Sequence, residues 1–312
     1  MSPNGLELVE VGFDEDGLAV VSDLLFATQP EWDRSVPQML AALPLDPEQR
    51  RVVAWLDGEA VGFATVGRIW VQAPEYPTVW CELGVLPAFR GQGIGAELLD
   101  WCRRVTRERG KESLLVPCSG GRPEGIAFLA ARGFEEYDRM ACVELPLVGV
   151  EAPPVVLPEG VELTSLAARP DLRQSAYETA VEVFAALPDP EPVSAGTFEE
   201  WRVRDVDIPN GPLDAYLLAV EGDVVVGYCR LCMMERGRSI GHMMTGVRKP
   251  WQGRGIAQAL KHAAIAWALE AGAERMTTEN AIGNEPMRAI NRKLCFVAAP
   301  DFVEMKGLAV WS

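Results

Sequence analysis

One stretch of this chain is written twice. GVLPAFRGQGIGAELL at 84–99 returns as GVRKPWQGRGIAQALK at 246–261, and the spacing holds beyond the match: Val85 and Val247, Gly93 and Gly255, Gly110 and Gly272, and Phe134 and Phe296 all lie 162 apart. About fifty residues therefore align without an insertion, so the chain must fold as two copies of one unit. Its 312 residues also fit two domains of roughly 100–200 residues each. Upstream, Asp57-Gly58 between VVAWL and AVGFATV reads as a hairpin turn, with a counterpart in Glu221-Gly222 between AYLLAV and VVVGYC at an offset of 164. The first halves of the copies thus differ in loop length. The Pro-rich stretch PLVGVEAPPVVLPEG (146–160) lacks helical periodicity and reads as a linker, which sets the domains at 1–148 and 149–312.

Within each copy the pattern runs strand, one or two helices, hairpin pair, strand, helix, strand, helix and a closing hairpin. That is a mixed α/β unit, a sheet flanked by helices. Ile94, Leu98, Trp101, Cys102 and Val105 fall at helical spacing up to Gly110, and Ile256, Leu260, Ala264, Trp267 and Ala268 do the same up to Gly272. Each helix is expected to bury one side.

No apolar run approaches the roughly 18 residues of a membrane span, and the acidic N-terminus MSPNGLELVEVGFDEDG has neither the basic nor the apolar region of a secretory signal. A cytoplasmic location is expected. Seven cysteines, mostly inside apolar runs, fit reduced structural thiols. Cys229 and Cys232 form a C-x-x-C, but in an apparent strand with no second pair, so no metal is expected. Twenty-nine basic residues against forty-five acidic ones leave a net charge of −16, which argues against nucleic acid as a partner and suits a cationic one.

A strand running into R-G-Q-G-I-G (90–95) and then a helix sets backbone N–H groups at a helix N-terminus with little side-chain cover. Such a turn is built to hold an anion. Gly91, Gly93 and Ala96 satisfy the dinucleotide pattern G-x-G-x-x-G/A, but the second copy has Gln258 at the third small position, and no acidic residue closes the following strand LLVPC. A phosphate-binding P-loop is excluded because no Gly-Lys-Ser/Thr follows either loop.

The pattern Q/R-x-x-G-x-G/A, met by Arg90, Gly93 and Gly95 and again by Gln252, Gly255 and Ala257, resembles the acetyl-coenzyme-A motif of the GNAT acetyltransferase superfamily. So do the Val-ended strand before each loop and the later Gly133-Phe134 or Cys295-Phe296. The resemblance covers nearly the whole chain, and the duplicated layout is similar to that of mycothiol synthase and other tandem members. It implies two GNAT-like domains, acetyl-coenzyme A as cofactor, and a small-molecule or peptide amine as acceptor. It further implies that the strand pairs with the pantetheine arm and the loop amides hold the pyrophosphate. Those positions are Gly84, Val85, Arg90, Gly91, Gln92, Gly93, Ile94 and Gly95 in the first copy, and Gly246, Val247, Gln252, Gly253, Arg254, Gly255, Ile256 and Ala257 in the second.

Relatives carry an Asn at the start of the last helix and, seven residues on, a Tyr that protonates the leaving thiolate. The second copy has Asn284 and Asn291 there; the first has Arg122 and Leu129. For the base, Glu82 stands on the strand before the first loop, and Met244 is its counterpart in the second. The second half offers His242 on that strand and Glu279 beside Asn280 and Asn284. Catalytic candidates are therefore Glu82, His242, Asn284 and Asn291, with Asn284 also expected at the cofactor, and the C-terminal half is the more complete match. Segments 28–50 and 185–212 would wall the acceptor sites; the second carries Asp189, Glu191, Glu199, Glu200, Asp205 and Asp207 with Trp201, a composition suited to an amine. With the Tyr missing from both copies, a protein that holds acyl-coenzyme A without turnover is the alternative. A single molecule pairing its two domains internally is the expected state.

Overall fold

The computed structural model describes residues 4–310. In chain order the first copy comprises β1 (Leu6–Val11), α1 (Glu15–Thr28), α2 (Val36–Ala41), β2 (Arg50–Leu56), β3 (Glu59–Arg68), β4 (Thr78–Val85), α3 (Ile94–Glu108), β5 (Ser113–Ser119), α4 (Pro123–Ala130) and β6 (Glu135–Pro146). The second comprises β7 (Glu162–Ser165), α5 (Arg173–Phe184), α6 (Phe198–Trp201), β8 (Tyr216–Glu221), β9 (Val224–Met234), β10 (Ser239–Val247), α7 (Ile256–Glu270), β11 (Arg275–Ala281), α8 (Glu285–Lys293), β12 (Val297–Ala298) and β13 (Phe302–Leu308).

The first hairpin turns where the sequence places it. Asp57 and Gly58 both take left-handed φ values, 51° and 84°, as the tight turn that matches strand twist requires, and Leu56 faces Glu59 across it. In the second hairpin Glu221 still pairs with Val224, so the turn residues are Gly222 and Asp223, one position later than expected. The offset between the copies is thus 165 at the hairpin (222 − 57). It is 161 at the start of the third strand, where Thr78 pairs with Ser113 and Ser239 with Arg275 (239 − 78), and 162 at the loops (255 − 93). The last step is a bulge in β10 between His242 and Met244, which β4 lacks.

Helix α3 lays Leu98, Cys102 and Val105 on Val52, Ala64, Val66 and Cys81, while α1 covers the opposite face with Leu18, Val21 and Leu25 against Val53 and Phe63. In the second copy α7 buries Leu260, Ala264 and Ala268 against Ala219, Val226 and Ile240. The alternation of strand side chains separates the two faces.

The expected closing hairpins do not form. The first copy ends in the single long strand β6, whose residues Met140–Pro146 pair with β11 of the second copy. The chain's last strand, β13, runs antiparallel to β5 of the first copy, from Phe302 opposite Ser119 to Leu308 opposite Ser113. The compact units are accordingly residues 4–139 with 302–310, called unit 1, and residues 140–301, called unit 2. Packing thus departs from a division at 148/149: it gives residues 140–146 of β6 to unit 2 and β13 to unit 1.

Met305 is 2% exposed and packs in the core of unit 1, although it belongs to the second repeat by sequence. Met305→Ala is therefore expected to cost about 2–4 kcal/mol in urea unfolding. Amide exchange should accelerate in β5 and not in β11, a pattern measurable by mass spectrometry.

Candidate functional site

The site begins where a strand pair stops pairing. Strands β4 and β5 run parallel for three residue pairs, Thr78–Trp80 against Ser113–Leu115, and then part. Strands β10 and β11 do the same after Gly241 and Thr277. The Leu86 N–H donates to the Val61 carbonyl at 2.9 Å, which sets the phase of the β3–β4 ladder: Glu82 and Gly84 bond towards β3, while Leu83 and Val85 turn their N–H and C=O groups into the gap. In unit 2 the Arg248 N–H to Val226 bond, also 2.9 Å, turns Thr245 and Val247 into the gap.

At the end of each gap stands a Gly loop of matching geometry. Gly91 and Gly253 have φ of 76° and 74°, and Gly93 and Gly255, at the helix N-caps, 91° and 84°, a conformation that glycine adopts without strain. Arg90 Nε donates to the Val85 carbonyl at 3.1 Å, and Gln252 Nε2 to the Val247 carbonyl at 2.9 Å, tying each loop back to its strand. The N–H groups of the first helical turn have no partner within the helix and suit an anion.

In unit 1 the gap and the loop enclose a cavity of about 500 Å³. It brings together Gly84, Val85, Arg90, Gly91, Gly93 and Gly95 of the expected set, faced by Val116–Ser119 of β5, by Phe128 of α4 and by Arg132 in the turn that follows α4. Gln92 is exposed beside it, and Arg254 is exposed in the second loop. Ile94 and Ile256 point into the two cores, leaving only their backbone to the loops. A Cβ on Gly84 would meet Thr28 Oγ1 at 2.5 Å, and one on Gly246 would meet Val183 at 2.4 Å. Both glycines thus let the first helix of their unit lie against the strand. The sequence reading missed Leu83, whose hydrophobic side chain signals nothing about its backbone, and Gln29, which also lines the cavity.

The catalytic candidates are not gathered in this way. Glu82 is 5% exposed, is ion-paired with Arg34, and stands with Arg51 in a void of about 20 Å³ apart from the larger cavity. Burial, with Arg34 adding repulsion, pushes Arg51 down to about 10. The β10 bulge puts His242 level with Cys81, on the face covered by α7. There its Nε2 lies 3.1 Å from Cys229 Sγ and 3.0 Å from Thr245 Oγ1, and its Nδ1 lies 3.5 Å from Lys261 Nζ. Burial and the neighbouring lysine hold its pKa well below the usual histidine range, so the ring is neutral.

Asn284 caps α8, its Oδ1 accepting from the Met287 N–H at 3.4 Å. Asn291 is buried and donates to Asn280 Oδ1 at 2.6 Å, while its own Oδ1 has no partner. Glu279 is exposed on β11, two residues past the last β10–β11 pair. In unit 1 the matching places hold Arg122, ion-paired with Glu31 and 5.7 Å from the Trp32 ring, and Leu129; both line the cavity. The acids of 185–212 are largely spent: Asp205 is buried between Arg204 (2.6 Å) and Arg230 (3.4 Å), and Arg202 pairs with both Glu199 and Asp207. Trp201 is core, so this segment offers much less negative charge than its composition suggests. Cys229 and Cys232 are buried free thiols, pushed up by desolvation. Among the described residues no cluster of His, Cys, Asp and Glu could hold a metal ion, and no helix is long and apolar enough to cross a membrane.

Comparison with known proteins adds to this geometry. The profile of the acetyltransferase (GNAT) family matches residues 18–134 and 162–295. A mycothiol acetyltransferase from Pseudarthrobacter chlorophenolicus is 26% identical over 296 residues, 93% of this chain and 87% of that protein. Among solved structures, a tandem GNAT protein from the clavulanic acid biosynthesis pathway superposes with a TM-score of 0.75 at 20% identity, over 98% of this chain and 99% of that one. A GCN5-related N-acetyltransferase from Sphaerobacter thermophilus does so with 0.72 at 20% identity, over 100% and 98%.

Lys261 is 2% exposed, and its ammonium faces a neutral imidazole, a thiol and, at 5.3 Å, the Phe296 ring; burial pushes it down to about 8 from 10.5. A lysine depressed in the folded state costs stability in full below about pH 8, and the cost fades as pH rises from there to 10.5. Lys261→Met is expected to stabilise the chain by roughly 2 kcal/mol at pH 7. The two stability curves from urea melts should converge towards pH 10.5.

Proposed function

Because this chain belongs to the acetyltransferase (GNAT) family, we propose that it transfers an acetyl group from acetyl-coenzyme A to the primary amine of a small molecule or peptide. The observation that carries the reading is the splayed gap running into a Gly loop, present in both units and opening in unit 1 into a cavity of about 500 Å³. The size and the mixture of apolar walls with few polar groups suit a ligand of that class. The pantetheine arm would lie in the gap against the amides of Leu83 and Val85, or of Thr245 and Val247, with the pyrophosphate on the loop N–H groups.

In this reading a gap-facing N–H, that of Leu83 or Thr245, polarises the acetyl carbonyl. The neutral amine attacks it, an N–C bond forms, the C–S bond breaks, the base takes the amine's proton, and solvent protonates the thiolate. Of the carboxylates nominated from sequence, Glu82 is already committed to Arg34. Glu279 of unit 2 stands beyond the splay and in contact with water, and we assign it the base. Partial desolvation raises its carboxyl above the usual 4.5. A relative named as a mycothiol acetyltransferase supports a small-molecule acceptor, and the net charge of −16 favours a cationic one.

A second reading applies to unit 1 alone: it holds the coenzyme without turnover. The sealed Glu82–Arg34 pair and Leu129 in the place of the acid favour it.

Release of free coenzyme thiol, followed across a panel of primary amines, tests the proposal. Glu279→Gln should lower kcat by about 100-fold and remove the acid limb of the pH profile, because activity needs the carboxylate and falls as pH drops through its pKa. An unchanged profile would remove Glu279 from the mechanism; no thiol release with any amine would favour the binding protein.

A further inference from the structure

Gln29 follows α1 and is 8% exposed. Its Nε2 donates to the Leu83 carbonyl at 2.8 Å, which fixes the orientation of the carboxamide and leaves Oε1 buried with no partner. A buried acceptor without a donor is costly and uncommon, and this one stands at the wall of the unit 1 cavity. The strand beside it explains what the acceptor is for. Of the gap-facing groups beyond the splay on β4, the Leu83 carbonyl is taken by Gln29 and the Val85 carbonyl by Arg90, so both carbonyls are engaged while the N–H groups stay available. An extended ligand carrying amide N–H groups finds its acceptor on Gln29 instead of on the strand. The same turn is held in place further along, where Glu31 pairs with Arg122 and the Trp32 ring lies under that guanidinium.

We propose that Gln29 Oε1 accepts a hydrogen bond from an amide N–H of the pantetheine arm, so that Gln29 is the residue by which unit 1 reads that arm; this rests on the acyl-coenzyme reading above. The feature belongs to unit 1 alone. Val183 packs on Gly246 as Thr28 packs on Gly84, so the residue in the place of Gln29 is Phe184, which has no carboxamide.

Calorimetry on the full chain tests it, in a Gly255→Trp background that obstructs the loop of unit 2, with two probes: acetyl-coenzyme A, and its nucleotide half, adenosine 3′-phosphate 5′-diphosphate. Gln29→Met fills the same volume and covers the Leu83 carbonyl without offering an acceptor. The expected result is acetyl-coenzyme A binding weaker by about five- to ten-fold, the loss of one hydrogen bond, with the nucleotide half unchanged within two-fold. Equal affinity for acetyl-coenzyme A in both proteins overturns the proposal, and so does equal weakening of both probes, which would mean a disturbed loop. Absence of acetyl-coenzyme A binding in the background with Gln29 intact overturns the coenzyme reading of unit 1 itself, a distinct result. Melting curves without ligand check folding. If the tryptophan variant unfolds, the same titrations with Gly255 intact carry the test, with one of two binding steps shifting and the other unmoved.

Discussion

Everything at the site depends on hydrogen bonds that two neighbouring strands decline to make. A parallel pair that continued past Trp80 and Leu115 would satisfy its own backbone and leave no room for anything else. By parting, β4 and β5 leave a buried strand edge that must be satisfied by other means. On β4 the carbonyls are answered by side chains, Gln29 on Leu83 and Arg90 on Val85, and what remains is a row of donors. A site of this kind is made of main chain. It tolerates wide changes of side chain, which is consistent with a superposition at a TM-score of 0.75 accompanied by only 20% identity.

The two units reach this arrangement by different routes. In unit 2 a bulge bends β10 at the parting point, while in unit 1 the β3–β4 register runs through without a break. Their surroundings have diverged further. Unit 1 seals Glu82 under Arg34 and fills the following position on its last helix with Leu129; unit 2 buries a lysine, a histidine and a thiol where unit 1 has Leu99, Cys81 and an apolar neighbourhood. A desolvated lysine of this sort reduces stability unless well paired, so its presence in one copy and not the other is a difference of substance between the two units.

Much of this was legible in the residues because it lies in local pattern. The duplication, the Gly loops and their helices, and the first hairpin follow from spacing and from the φ values that glycine permits. What was illegible depends on events that leave no local mark. One inserted residue at the β10 bulge reverses which face every upstream side chain occupies, and so carries His242 from a supposed base into the core. The closing strands read as hairpins because their alternation records only that one face is buried and says nothing of the partner. Asn284 and Asn291 were nominated because they stand where relatives carry an Asn and a Tyr, but a capping bond and a buried bond to Asn280 occupy them. The acids of 185–212 look like a field for cations until the interleaved arginines are folded back on them.

The exchange of final strands also sets a timetable. Strand β5 is complete at Ser119, yet its partner begins at Phe302, some 180 residues later in synthesis. At about 5–20 residues per second the ribosome needs roughly 10–40 seconds to deliver it. Through that interval the first sheet presents an open edge, the kind of surface that recruits strands from other chains. Unit 1 therefore cannot be finished until the whole of unit 2 has been made, whereas unit 2, drawn from the continuous stretch 140–301, is complete before the strand that closes unit 1 appears.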